Sequence, residues 1–277
     1  MRAIALLTLR EMLRRRTTVA IALAVLLVVS LSGWAFHALV SSLGPGGEAK
    51  LFASEQLVFV MLVFSGILAL AASFLSAAAV APELESGVAL SLLARPLTRL
   101  RYILGKWIGL AALITGFSLV TGGAEFLTVF GVVGYTPPHP ALALLALTAE
   151  AILLMTLSLF LSTRLPTITS AIISMVLFFL AWMAGVAGTI GNELHSGTLV
   201  RIGEVAQLVV PTNGLWQAAE YFLEPSSVLV LGQSLGRTAE NPFIVLVPQT
   251  AAFYGWAVLW LLAFLLLSIW SMRRREL

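Results

Sequence analysis

The chain has 277 residues, 60% hydrophobic and 10% charged, with a formal net charge of +3 and a mean hydropathy of +1.01. A soluble domain carries about 25% charged residues, so this composition excludes a water-soluble protein and makes lipid the solvent for most of the surface. The chain has no cysteine, which excludes disulfides, thiolate metal sites and cysteine nucleophiles. The basic residues sit at the ends of apolar runs, as the positive-inside rule expects, so the positive balance does not point to nucleic acid.

Residues 1–16 read as an amphipathic helix lying in the membrane interface. Leu6, Leu9 and Leu13 share one face with Met12 beside them, and Arg10, Glu11, Arg14 and Arg15 fall opposite. A cleaved secretory leader is disfavoured, because the apolar run that follows is long enough to span and Ala35-Phe36-His37-Ala38 is a poor cleavage site. The first span covers 18–40 and a Gly/Pro turn follows it. The second covers 57–81, with Ser65, Ala69, Ser73, Ala77 and Ala81 recurring every four residues. Small residues at that spacing let a second helix approach closely, as helices do in lipid. Packing within the subunit is the favoured use, and a subunit interface or pathway lining is the other.

Segment 82–106 is the longest polar interruption in the first two-thirds of the chain. Pro82 and Gly87 are expected to break regular helix there. A short apolar helix over 88–94 is ended by Arg95-Pro96, and Thr98 can cap the next span. Leu90, Leu92 and Leu93 are costly to leave in water and require lipid or a protein groove. Further spans are expected at 107–133, 141–161, 167–190 and 250–272. The segment 191–246 is expected to lie outside the membrane, with two amphipathic pieces at 198–209 and 214–223. Trp216, Tyr221 and Phe222 of the second piece suit the membrane interface, and the segment could also receive an extracytoplasmic partner.

Six spans put both termini on one side. Of the 16 Lys and Arg, only Lys50, Arg201 and Arg237 fall in the loops of the other side, so the termini are expected in the cytoplasm. The fold class is therefore all-α, a polytopic membrane protein formed as one transmembrane domain over 1–277.

The sequence has no phosphate-binding loop, because Gly105-Lys106 lacks the upstream glycine and the following Ser or Thr. No catalytic constellation, cofactor site or metal site is expected, and His37, His139 and His195 read as polar anchors. Two carboxylates, Glu125 and Glu150, lie inside spans, where acids are expensive and usually functional. They are symmetric about Pro137-Pro138, which predicts a common depth about 14 Å below that loop. They are candidates to line a translocation pathway; the plainer reading lets Glu125 snorkel outward and Glu150 bond a nearby Ser or Thr.

The central segment resembles the permease subunits of type-2 ABC exporters. The likeness is carried by Glu83-Leu84-Glu85-Ser86-Gly87, the apolar stretch 88–94, Pro96-Leu97-Thr98-Arg99 and Leu104-Gly105-Lys106, in that order between two spans. The resemblance implies that residues 1–16 are a connecting (elbow) helix and 88–94 a coupling helix seated on a separate ATPase. On that basis Glu83, Glu85, Gly87, Leu90, Leu92, Leu93, Arg95, Pro96, Arg99, Gly105 and Lys106 form the docking and coupling region, with Glu83, Glu85, Arg95 and Arg99 as rim charges. It further implies two permease copies, two ATPase copies, ATP and magnesium on the ATPase alone, and a bacterial or archaeal cytoplasmic membrane. Val210-Pro211-Thr212, before the last span, is similar to the branch containing the permease for nitrous-oxide reductase copper-site maturation. Two other functions fit the composition: a proton-coupled secondary transporter using Glu125 and Glu150, and a membrane assembly scaffold.

Overall fold

The computed structural model describes residues 2–44, 46–85, 98–226 and 245–274; the expected coupling helix at 88–94 lies outside them. The described residues form nine helices: α1 (Arg2–Leu13), α2 (Arg16–Leu43), α3 (Gly47–Glu85), α4 (Arg99–Val133), α5 (Pro140–Ser162), α6 (Thr167–Glu193), α7 (Gly197–Val209), α8 (Thr212–Leu223) and α9 (Ala251–Arg273). Six of them, α2 to α6 and α9, are long and apolar enough to cross a membrane. The all-helical, six-span expectation holds. One end of the bundle carries Arg99, Arg164 and Arg273 and is called the basic end. The opposite end carries Glu55, Glu220 and Glu224 and is called the acidic end.

The axis of the bundle is α5, packed against α3, α4, α6, α8 and α9. Apolar residues alone do not hold a helix in place in lipid, because the tails are as apolar as leucine. Here α5 places a polar group against several neighbours. Trp107 Nε1 donates to Thr156 Oγ1 at 2.9 Å, the hydroxyls of Thr148 and Ser118 are 2.9 Å apart, and Ser158 Oγ donates to the Ser73 carbonyl at 2.7 Å. The small-residue stripe of α3 is buried at Ser65, Ala69, Ser73 and Ala77. Ser65 and Ser73 both bond α5, so this stripe packs within the chain.

One local expectation is corrected: α3 runs through Pro82 to Glu85 instead of breaking there. A proline inside a helix costs about 3 kcal/mol. The flanking Ala81 and Leu84 are buried and Glu83 is bonded to α4, and these tertiary contacts hold the turn. At the start of the chain, α1 rests on α4 through Thr8 and Met12, which are buried, and leaves Leu6 and Leu13 exposed. The helix comes so close that a Cβ at Gly109 would sit 2.7 Å from the Ala5 carbonyl oxygen. Only glycine fits at that approach.

A second correction concerns 191–226, the described stretch at the start of the segment 191–246. The chain reverses after α6, and α7 returns antiparallel along it. A Cβ at Gly188 would lie 3.1 Å from the Gly203 Cα, and Gly191 abuts Leu199 in the same way. The chain reverses again at Val210-Pro211, and α8 climbs back along α5 until the His139 amide donates to the Phe222 carbonyl at 3.2 Å. The pair is a re-entrant hairpin whose tip lies about 16 Å below the start of α5, close to half its length. Trp216 is therefore core, not an interfacial anchor.

The tip must satisfy the last carbonyls of α7, because Pro211 has no N–H and apolar surroundings offer no water. Two indoles of α9 do this: Trp256 Nε1 donates to the Leu208 carbonyl at 3.1 Å and Trp260 Nε1 to the Val209 carbonyl at 2.8 Å. Trp260→Phe keeps the ring that stacks on Phe264 and removes only the donor. We expect it to cost about 1–3 kcal/mol, the usual penalty for a stranded buried acceptor, read as a lower unfolding temperature in detergent.

Candidate functional site

At the basic end, Arg99, Tyr102 and Lys106 recur at three- and four-residue spacing and share one face of α4. Thr98 starts that helix, its hydroxyl accepting from the Arg101 amide at 3.3 Å. Glu83 arrives from the last turn of α3 and takes one bond on each oxygen: Lys106 Nζ donates to Oε1 and Tyr102 Oη to Oε2, both at 2.5 Å. The Lys106 side chain is 5% exposed and that of Glu83 21%. An ammonium this enclosed requires a paired carboxylate. The three side chains tie α3 to α4 where the chain leaves one helix and enters the other, across the segment 86–97.

Arg99 reaches a third helix. Its Nη1 donates to the carbonyls of Met272 at 3.0 Å and Arg273 at 2.6 Å, at the C-terminal end of α9. Arg164, from the turn between α5 and α6, donates to Ser271 Oγ at 2.8 Å and to the Ser271 carbonyl at 3.1 Å. Two guanidinium groups thus satisfy the last turn of α9 and oppose its negative dipole end. Of the sequence-predicted residues, Glu83, Arg99 and Lys106 bond within the chain here, and Gly105 is buried on α4 beside them. Glu85 closes α3, and Gly87, Leu90, Leu92, Leu93, Arg95 and Pro96 lie outside the described residues. Tyr102 and Arg164 were missed. The i, i+4 spacing of Tyr102 to Lys106 was the available signal for the first. Nothing local marks Arg164, whose partner is 107 residues away.

The two intramembrane acids are separated. Glu125 accepts from Ser32 of α2 at 2.9 Å, and Glu150 accepts from Ser65 of α3 at 2.9 Å. Each is buried and closes a bond between helices; Glu125 does not snorkel outward. The expected common depth is wrong. Ser118 meets Thr148, and Leu144 lies against Gly122, so the register of α4 and α5 sets Glu150 deeper than Glu125 by about nine residues, roughly 13 Å. The reason is an asymmetric connection: α4 continues to Val133 while the chain returns without helix before α5 starts at Pro140.

The hairpin forms an open polar pocket of about 220 Å³ between α6, α7 and α8, lined by Thr189, Asn192, Glu204, Gln207, Asn213 and Gln217. Gln217 Oε1 accepts from Gln207 at 3.2 Å and from Gln249 at 2.8 Å. Isolated Gln and Asn carry no motif, so nothing local in the sequence brings these amides together.

At the acidic end, Glu220 and Glu224 stand one turn apart and are each 2% exposed. Burial, followed by the charge of Glu55, pushes Glu224 up to about 7. Burial and then the charge of Glu224 hold Glu220 well above the ordinary carboxylate range, although the Val245 backbone and the Trp216 side chain lower it in part. Tyr135 donates to the Leu223 carbonyl at 3.2 Å and closes this end. Among the described residues, no group of three His, Cys, Asp or Glu side chains is placed to hold a metal ion.

Six spans, a re-entrant hairpin and a basic end cross-linked around one short segment define a multi-pass membrane subunit. A family model described as ABC-2 family transporter protein matches residues 2–277, and the chain belongs to that family. It is a permease subunit of an ABC transporter, a class that works with an ATPase. No curated protein gives a significant match to the chain.

Proposed function

We propose that this permease is an exporter subunit driven by a separate ATPase that presses on segment 86–97. The reading rests on one observation above all: Glu83, Tyr102 and Lys106 tie together the two helices that flank the segment. A push on 86–97 cannot then be absorbed by parting α3 from α4. The pair moves as a body, and Arg99 carries the movement to α9. Such a rigid-body switch would alternate access between the two faces.

Two permease copies would pair above two ATPases, with ATP and magnesium held by the ATPases. The basic end faces the cytoplasm in this reading, since the other side carries only three of the 16 Lys and Arg. The membrane is the cytoplasmic membrane of a bacterium or archaeon. Within the family, the likeness of Val210-Pro211-Thr212 to the nitrous-oxide reductase copper-site maturation permease supports a place in or near that branch.

The test is co-purification with ABC ATPases encoded in the same genome. We expect the wild-type permease to retain one of them with ATP hydrolysis, and Leu92→Glu with Leu93→Glu to release it. A permease that holds none, yet transports in vesicles under a proton gradient alone, would replace this reading with a secondary transporter.

A further inference from the structure

The hairpin also forms a second cavity, on the side of α7 turned away from the amides. It has a volume of about 630 Å³, within the range of ligand pockets. Leu177, Ala181 and Ala184 of α6 form one wall and Ile202, Val205 and Val209 of α7 the other. Apart from Thr198 and Arg201 at one end, the walls are apolar. Ile202, Val205 and Val209 are each about half exposed along the slot, so it opens to the side of the bundle.

The slot follows α7 from Thr198 to Val209, about 16 Å at 1.5 Å per residue. That is close to half of the roughly 30 Å hydrocarbon core, the depth of one leaflet. At its upper end stands Arg201, exposed and lining the cavity. Among the described residues Arg201 makes no ion pair. A guanidinium at headgroup height offers the fork that matches a phosphate.

We infer that the groove between α6 and α7 binds one acyl chain of an anionic phospholipid, with Arg201 on the phosphate. Charge and depth together select this occupant. A lipid without a phosphate would leave the arginine unmatched, a zwitterionic headgroup would bring its own cation to the same phosphate, and a free phosphate would leave the apolar slot empty. The site sits on the acidic end's leaflet and does not depend on how an ATPase engages the chain. A lipid there would wedge α7 against α6 and so support the hairpin.

The test uses the full chain in nanodiscs of phosphatidylcholine carrying a small fraction of phosphatidylglycerol with a photoreactive group late in its acyl chain. After irradiation, labelled residues are mapped by mass spectrometry. We expect labelling of the groove walls well above that of the exposed faces of α2 and α9. Arg201→Gln should lower groove labelling roughly two- to fivefold, the fold-change of a solvent-facing charge pair. Arg201→Lys should restore part of it, and Ala181→Trp, which fills the slot, should abolish it. Labelling of α2 reports that each variant is folded and should not change. The inference is overturned by labelling spread evenly over the lipid-facing helices, or by groove labelling that ignores Arg201→Gln. It is equally overturned if a cysteine at Val205 cross-links two copies while the groove takes no label, because the occupant is then a second permease.

Discussion

Replacing Glu83 by alanine is expected to unfold the basic end and uncouple the permease from its energy source. The substitution strands Lys106, which is 4% exposed, and removes the acceptor of the Tyr102 hydroxyl. Removing one partner of a buried ion pair typically costs 3–5 kcal/mol, most of it for the charge left behind. Glu83 is partly open to solvent, so we expect the lower half of that range, about 3 kcal/mol, as a fall in the detergent unfolding temperature. The double change Glu83→Gln with Lys106→Met removes both charges and should recover most of the stability. A structural role predicts that function returns with it. The coupling role predicts a stable permease whose ATPase no longer drives transport, because α3 and α4 can now part. Glu83→Ala with unchanged stability and unchanged transport would remove the clamp from the mechanism.

The second large effect is a pH dependence confined to the acidic end. Glu224 is raised from its ordinary 4.5 to about 7, and Glu220 is raised as well. A carboxyl raised in the folded state binds its proton more tightly there than in the unfolded chain. The stability it contributes is complete below 4.5 and is lost as the pH rises through about 7. For Glu224 alone this shift corresponds to roughly 3 kcal/mol. The groups that face it work in the same direction, since Glu55 and Glu220 are also acidic. Amide protection of α8, corrected for intrinsic exchange, should therefore fall across that window, while protection of α4 at the basic end should not. Glu224→Gln should flatten the profile. A protection profile that rises with pH would contradict the burial of this pair.

The number of spans and the all-helical class follow from the chain read alone, because an apolar run of some twenty residues has few alternatives in lipid. The likeness to ABC transporter permeases was also legible, since its motif is contiguous from Glu83 to Lys106. What that motif does inside the subunit was not. Glu83 and Lys106 read as separate charges, and their bond depends on the angle at which α3 and α4 leave the segment between them. Pro82 misled for the same reason: local propensity favoured a break, and packing of Ala81 and Leu84 overrode it.

The re-entrant hairpin shows the limit most clearly. Residues 198–209 have the composition of an interfacial helix, and α7 has that length, yet it descends along α6. What permits the descent is Gly188 against Gly203 and two tryptophan N–H groups on α9 that receive its final carbonyls. Those partners lie 15 to 51 residues away in the chain. The depths of Glu125 and Glu150 were decided the same way, by where α4 ends and not by the position of the prolines. Hydrophobic length is a local property and survives translation into structure. Helix register and the pairing of buried polar groups are properties of two surfaces at once, and only the packed bundle determines them.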